Sequence, residues 1–263
     1  MTATSMLQLH VRFTDQAAAE PAALALLRPA ILDAEAAGHL ESWHFIRKGD
    51  VWRVRYQVPE GANPEKATGT MTDALADSRV SGWTEVIYEP EVYAFGGEFG
   101  MDTAHRLFYE DSRHVLDHLA TPGEGDRRRE LAILLVTALL RGAEQEWHEQ
   151  GDVWAQVAAH RSAEASPEQL ARLGPALERL VSVDTGPGST LASGALAFAA
   201  PWLDVHTRAG QRLVHLAHSG QLTRGLRAVL AYHLIFHFNR MGLPPAAQGA
   251  IASTASSIVF GKE

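Results

Sequence analysis

The sequence predicts an α+β fold, with a ferredoxin-like antiparallel sheet in the N-terminal part and a helical C-terminal part. Within residues 1–98, strand and helix patterns alternate in the order βαββαβ, which is the order of a ferredoxin-like sheet with its helices on one face. Within residues 99–263 only helical patterns follow, and short turns separate them. We therefore expect one domain over residues 1–263 that comprises these two parts.

Four segments have the patterns of β-strands. Leu7–Phe13 alternates apolar and polar residues, as a half-buried strand does. Residues 43–47 and 51–58 are two strand patterns on either side of Lys48-Gly49-Asp50, which predicts a hairpin. Residues 83–88 form the fourth strand pattern.

The helical patterns are marked by their capping residues and by their apolar spacing. Asp102 is placed to cap the first helix after the sheet, and Ser166 caps a later one that has Pro167 at its first position. Residues 121–126 and 184–189 are predicted as a loop and a turn. Apart from the helix that Ser166 caps, the predicted helices span residues 21–37, 64–80, 102–119, 127–150, 191–218, 223–240 and 245–260.

Composition and charge exclude several classes of function. A formal charge of −8 argues against general nucleic-acid binding, which requires a basic face. The chain has no cysteine, which excludes disulfides, thiolate metal sites and cysteine nucleophiles. Residues 1–13 lack a signal-peptide pattern, and the apolar run 131–140 is too short to span a bilayer. We expect a cytoplasmic protein with no nucleic-acid or membrane partner.

The thirteen histidines include two pairs at helical spacing. His215 and His218 lie three residues apart, and His233 and His237 lie four apart, so each pair shares a helix face. Neither pair has the glutamate of a zinc hydrolase motif, and the first pair is typical of an exposed helix end. We therefore expect neither a metal nor a cofactor.

Residues 232–240 are unusual because an apolar helix here carries several polar groups. Tyr232, His233, His237 and Arg240 fall within nine residues, and burying such groups is unfavourable unless they are paired. From the residues alone, two interpretations stay open: satisfied core histidines with a polar helix end, or a functional site.

The hairpin places Arg53 and Arg55 on one face of the sheet because side chains alternate with period two. Two guanidinium groups form a fork that suits a carboxylate or phosphate. Glutamates of a neighbouring strand would also serve as partners, so both interpretations stay open. Residues 88–91, with Tyr88 and Glu89, are either the lip of an active site or a solvated loop.

Four segments resemble, in order, the thiopeptide-type bacteriocin biosynthesis proteins, which are related to the C-terminal domain of lantibiotic dehydratases. The matching segments are 43–47 with 53–55, 87–91 with 95–97, 108–112, and 237–242. The resemblance implies one domain of this type over the whole chain and two alternative activities. One activity eliminates glutamate from glutamylated Ser or Thr, with arginines that hold the glutamyl carboxylate. The other joins two dehydroalanines in a formal [4+2] cycloaddition and expels water and the leader peptide, which yields a pyridine.

Two departures from the family pattern favour the pyridine synthase. Ala94 stands where the eliminating enzymes have an arginine, and Val51-Trp52 stands where they have a histidine. Loss of a charge-assisted contact to a carboxylate costs about 1.5–3 kcal/mol, which an eliminase would not tolerate well. A cycloaddition instead needs proton transfer between amide and iminol forms and an aromatic cavity. A non-catalytic subunit that binds the precursor peptide is the third alternative.

We expect the active site where the arginine face of the hairpin meets the helix over residues 223–240. The expected catalytic residues are Tyr232, His237 and His233. The expected substrate-binding residues are Arg53, Arg55, Trp52, Tyr88, Glu89, Tyr93, Asn239 and Arg240. The resemblance implies a precursor peptide, with leader and dehydrated core, as the main partner. Other enzymes of the pathway and a second copy of the chain are further candidate partners.

Overall fold

The computed structural model describes residues 6–121, 127–161, 167–186, 188–194 and 196–261. The chain divides into two compact units. The first comprises residues 1–90 and 108–123, and the second comprises residues 91–107 and 124–263. The assignment of a single domain stays a prediction.

The first unit contains the predicted ferredoxin-like sheet. Its elements are β1 (Leu7–Phe13), α1 (Ala19–Ala36), β2 (Ser42–Lys48), β3 (Val51–Gln57), α2 (Pro64–Ala74), β4 (Val80–Ile87) and the second half of α3 (Glu98–Ala120). The strand order is β2-β3-β1-β4, and every neighbouring pair is antiparallel. This order follows from the βαββαβ arrangement and confirms the predicted fold class.

The two faces of the sheet differ in polarity. Leu9, Val11 and Val54 are fully buried on the face that α1 and α2 cover. On this face the Tyr56 hydroxyl forms a 2.7 Å hydrogen bond with Thr68 of α2. The opposite face, which we call the arginine face, carries the side chains of Gln8, His10, His44, Arg53 and Arg55.

The predicted boundaries of α2 and β4 were wrong. The helix ends at Ala74 and not at residue 80, and the strand begins at Val80 and not at residue 83. Asp77 explains the difference, because its Oδ1 accepts a 2.9 Å hydrogen bond from the backbone N–H of Arg79. This local turn ends the helical path and starts the strand.

The second unit is helical in the residues that the structure describes. It contains the first half of α3, α4 (Arg128–Gly142), α5 (Trp147–His160), α6 (Pro167–Ser182), α7 (Thr190–Ser193), a 3₁₀ turn (Ala197–Ala199), α8 (Ala200–His218), α9 (Leu226–Arg240) and α10 (Pro245–Phe260). Two glycines allow α4 and α8 to pack closely, since a Cβ atom on Gly142 would lie 2.3 Å from the Thr207 carbonyl oxygen. A Cβ atom on Gly210 would lie 2.3 Å from the Leu139 carbonyl oxygen.

The prediction of one helix over residues 127–150 was wrong. The chain breaks at Glu144, which has a φ of 56°, and α5 then begins with a capping box formed by Glu146 and Glu149. The span 191–218 is also interrupted, because α8 begins only at Ala200.

Asp102 does not cap α3. The helix begins at Glu98, and Asp102 is an exposed residue inside it. Residues 122–126 of the predicted loop and the predicted cap Ser166 lie outside the described residues. Among the helices that the structure describes, none combines the length and the apolar character needed to cross a membrane.

Candidate active site

Arg55 is fixed on the arginine face of the first unit. It is 3% exposed, and its Nε donates a 2.7 Å hydrogen bond to Oε1 of Gln8, its partner on β1. Its guanidinium carbon lies 4.4 Å from the ring centroid of Tyr88. The ring of His44, opposite Arg55 on β2, lies 6.2 Å from that of Tyr88. Arg55 and Tyr88, two of the expected substrate-binding residues, are therefore brought together, and their role stays a prediction.

Arg53 has a different environment from Arg55 although both lie on the same face. Arg53 is half-buried, and its Nε has no hydrogen-bond partner among the described residues. Nε2 of His10, on the strand opposite, also lacks such a partner. Burial lowers the pKa of His10, and the guanidinium groups of Arg53 and Arg12 lower this pKa further. The arginine face thus offers donors and positive charge to an anionic or oxygen-bearing group.

Trp52 and Glu89 do not join this arrangement. Trp52 points to the helix-covered face of the sheet, where its ring stacks on Phe45 at a centroid distance of 5.0 Å. The period-two alternation that places Arg53 and Arg55 together forces Trp52 to the opposite face, so its expected place in a cavity with these arginines was wrong. Glu89 is exposed after the end of β4.

His233 of α9 is a buried, neutral imidazole. It is 1% exposed, and its ring meets that of Phe95 edge-on at a centroid distance of 4.9 Å. Burial, together with the positive charge of Arg240 and the nearby His206, lowers the pKa of His233 to about 3. A histidine in this state does not exchange protons at cellular pH, which argues against the catalytic role expected for it.

His237 is also buried, and it is paired with a histidine that the sequence pattern did not reveal. The ring centroids of His237 and His206 lie 4.8 Å apart, and both residues are at most 1% exposed. His206 lies on α8, 31 positions earlier in the chain, so spacing gave no signal for this pair. The absence of a metal stays a prediction.

Tyr232 is the most accessible of the three expected catalytic residues. It is half-buried, and its ring lies 5.0 Å from the guanidinium carbon of Arg224 and 5.2 Å from the ring of His160. The Arg224 guanidinium also lies 5.2 Å from the ring of Tyr93, which is 75% exposed. Arg224 therefore bridges two tyrosines, a contact that sequence analysis missed because residues 93 and 224 are distant in the chain.

Asn239 of α9 belongs to a chain of polar contacts that continues through Gln248 of α10 to Arg161. Its Oδ1 accepts a 2.8 Å hydrogen bond from Nε2 of Gln248, whose Oε1 accepts a 3.0 Å hydrogen bond from Nε of Arg161. Burial lowers the pKa of Arg161, and the proximity of Tyr232 opposes this shift. Arg240 is fully buried near the end of the same helix. Arg240 is thus held within the protein, whereas Asn239 is half-buried.

Two glycines fix the segment that precedes α3. Gly96 and Gly97 have φ values of 81° and 97°, and the Thr223 backbone N–H donates a 2.9 Å hydrogen bond to the Gly96 carbonyl. A Cβ atom on Gly96 would lie 2.9 Å from Cγ2 of Val229. This attachment to the start of α9 sets the positions of Tyr93 and Ala94.

Both halves of the expected site are well formed within their own units. The arginine face belongs to the first unit, and the residues around Tyr232 belong to the second. That the two halves make one active site stays a prediction. His215 and His218 are exposed in the last turn of α8, as the sequence indicated.

Comparisons with known proteins agree with the resemblance found in the sequence. The family model for the C-terminal part of lantibiotic biosynthesis dehydratases matches residues 7–259. A comparison with curated protein sequences gives no match.

Three solved structures share the fold at low sequence identity. The tRNA-dependent lantibiotic dehydratase MibB from Microbispora sp. 107891 is 16% identical with a TM-score of 0.72, and the match covers 99% of this chain but only 28% of MibB. TsrL is 16% identical with a TM-score of 0.68. The pyridine synthase TbtD from thiomuracin biosynthesis is 15% identical with a TM-score of 0.63, and both of these matches cover 98% of each chain. The family match spans nearly the whole chain, so this protein belongs to the family of lantibiotic biosynthesis dehydratase C-terminal domains.

Proposed function

We propose that this protein is a cytoplasmic pyridine synthase that acts on a ribosomally made precursor peptide. The reaction joins two dehydroalanines of the core in a formal [4+2] cycloaddition and expels water and the leader. Ala94 carries the proposal, because it stands where the glutamate-eliminating relatives are expected to have an arginine. The fold shared with the pyridine synthase TbtD supports it.

The geometry around Ala94 strengthens this argument. The backbone on its C-terminal side is fixed by Gly96 and Thr223, so the position of the side chain is well defined. A methyl group at this position cannot hold a carboxylate. An eliminase would lose one charge-assisted contact here, worth about 1.5–3 kcal/mol.

We assign the proton transfer of the amide–iminol step to Tyr232. It is half-buried beside the Arg224 guanidinium, whereas His233 is sealed and neutral. His237 is buried among rings and is the second candidate. Arg53 and Arg55 would stabilise negative charge that develops on the amide oxygen.

Glutamate elimination is the second candidate function, and Arg53 is the observation that favours it. Its Nε is buried without an acceptor among the described residues, next to the similarly placed Nε2 of His10. Such donors suit a carboxylate. Arg224, which makes no ion pair with described residues, is a second guanidinium that could replace the one missing at Ala94.

The test compares two substrates by mass spectrometry. The purified protein is incubated with a precursor peptide that carries two dehydroalanines and with one that carries glutamylated serine. Loss of the leader together with a cyclised core is the expected result. Loss of glutamate from the second peptide, without cyclisation of the first, would establish the eliminase. Binding of both peptides without conversion would favour the non-catalytic peptide-binding subunit.

Two variants test the residue assignment separately from the function. Tyr232→Phe is expected to lower the cyclisation rate about a hundredfold, within the range of general acid–base catalysis, while the fold stays intact. His233→Gln serves as the comparison, because a sealed histidine should contribute to stability and not to rate. The assignment fails if Tyr232→Phe and His237→Ala both retain the full rate while folded.

A further inference from the structure

The second unit contains a basic groove of about 500 Å³ between α3 and α8. Arg106 of α3 and Arg208 and Arg212 of α8 line it. Asp102 is the one carboxylate among its described lining residues. The groove therefore carries an excess of positive charge on a chain whose net charge is −8.

Two of the three arginines have no ionic partner among the residues that the structure describes. Arg208 pairs with Asp204, its i−4 neighbour, at 3.2 Å. Arg106 and Arg212 make no such pair with described residues, and both side chains are exposed. Exposed guanidinium groups that are not neutralised locally attract an acidic partner.

The arginines follow the repeat of a helix and lie beside an apolar anchor. Arg208, Arg212 and His215 are spaced four and three residues apart, so they form one row along α8. Phe99 on the facing helix is 56% exposed, which is unusual for so large an apolar side chain. A partner that fits needs carboxylates in a row and one apolar residue beside them.

Both walls of the groove are helices, and this limits how a peptide can bind. Backbone N–H and C=O groups inside a helix are already hydrogen-bonded to one another, so they cannot pair with an extended strand. Recognition therefore occurs through side chains, which favours a bound peptide that satisfies its own backbone groups. A peptide in helical conformation does so and places residues three and four apart on one face.

We propose that this groove binds an acidic, amphipathic helix of the substrate peptide, in the leader segment outside the residues that react. The identity of the partner rests on the proposed function, but the chemistry of the groove does not. Carboxylates at i, i+4 and i+7 of the bound helix pair with the row on α8, and one apolar side chain packs on Phe99. The groove thus binds a segment of the substrate that contains none of the reacting residues.

The test measures binding of two labelled 18-residue peptides by fluorescence anisotropy. One peptide carries Glu at i, i+4 and i+7 with one Leu on the same face, and the other carries Gln in place of Glu. The acidic peptide is expected to bind about tenfold more tightly at low salt, and the difference should shrink as salt screens the charges. Equal binding of the two peptides overturns the proposal.

A double variant and a matched control locate the site. Arg106→Glu with Arg212→Glu should weaken binding of the acidic peptide at least tenfold and improve binding of a peptide with Lys in place of Glu. Lys48→Glu with Lys66→Glu makes the same change in net charge at exposed residues of the first unit and should have little effect. Circular dichroism verifies that both double variants are folded.

Two further outcomes separate this proposal from its alternatives. If the arginine double variant binds the acidic peptide as tightly as the unsubstituted protein does, the groove is not a peptide site. The same conclusion follows if a 20-nucleotide RNA displaces the acidic peptide and binds more tightly. If the acidic peptide binds as described but no dehydrated peptide is converted, the groove proposal holds and the proposed function fails.

Discussion

The arginine face and α9 carry similar polar residues in opposite settings. On the arginine face, Arg53 is half-buried and its Nε has no acceptor among the described residues. On α9, His233 and Arg240 are at most 1% exposed, and the pKa of His233 is lowered to about 3. We infer that a fully buried group such as His233 stabilises the fold, whereas a half-buried group such as Arg53 can contact a substrate.

The largest effect is expected for Arg240, a fully buried charge on α9. Arg240→Ala removes a fully buried guanidinium and opens a cavity among the side chains packed around it. We expect the free energy of unfolding to fall by about 3–5 kcal/mol, measured by chemical denaturation. Arg129→Ala is the control, since that side chain is 51% exposed and should change stability by less than about 0.5 kcal/mol. A loss below about 1 kcal/mol for Arg240→Ala would contradict the structural role.

Arg53 and Arg55 allow a half-buried and a buried arginine to be compared on the same strand, β3. Arg53→Gln should lower kcat/KM about tenfold to a hundredfold and leave the melting temperature nearly unchanged, because Arg53 is half-buried with a donor available. Arg55→Gln should lower both quantities, because Arg55 is buried, bonded to Gln8 and packed on Tyr88. Equal melting temperatures for the two variants would show that the difference in burial has no consequence.

The pH dependence of stability tests whether His233 is buried in its neutral form. Its pKa is about 3 in the folded protein and near 6.5 in the unfolded chain, so below pH 6.5 only the unfolded chain takes up the proton. Stability is therefore complete above pH 6.5 and falls as the pH decreases toward 3. At pH 5 this contribution amounts to a loss of about 2 kcal/mol relative to pH 8. Urea unfolding at both pH values should show a smaller loss of stability at pH 5 for His233→Gln than for the unsubstituted protein. Identical pH profiles of the two proteins would contradict the lowered pKa of His233.

The smallest effect is expected at an exposed ion pair on the arginine face. Nε of Arg12 lies 3.5 Å from Oδ2 of Asp50, and the two side chains are 48% and 60% exposed. Asp50→Asn should change the free energy of unfolding by less than about 0.5 kcal/mol, because water and salt screen such pairs. Thermal unfolding at low and high salt measures this change. A loss above about 1 kcal/mol would mean that exposure does not determine how much these charges contribute to stability.

Local patterns predicted the sheet well. The alternation in Leu7–Phe13 and the turn residue Gly49, with a φ of 61°, specify β1 and the hairpin without tertiary information. The break between α4 and α5 escaped prediction because Glu144 adopts its left-handed conformation without being glycine. Gly142 is the last residue of α4, but one glycine inside an apolar helical pattern does not by itself mark a break.

The candidate site was predicted less completely, for two physical reasons. Period-two alternation correctly placed Arg53 and Arg55 on one face of β3. The same alternation places Trp52 on the opposite face, so the prediction that Trp52 joins them was inconsistent with it. The contacts of Arg224 with Tyr93 and of His206 with His237 join distant segments, and no local pattern encodes such contacts. Burial of His233, which decides its protonation, likewise depends on tertiary packing.

The attachment of Gly96 to Thr223 has a consequence for how this fold can acquire new activities. The glycine pair and the hydrogen bond from Thr223 to Gly96 fix the backbone on the C-terminal side of position 94. We therefore expect a substitution at position 94 to change the functional group of the side chain without moving the backbone. Under the proposed function, exchange of this one side chain is a short mutational path between cycloaddition and glutamate elimination, and Ala94→Arg is the variant that tests it.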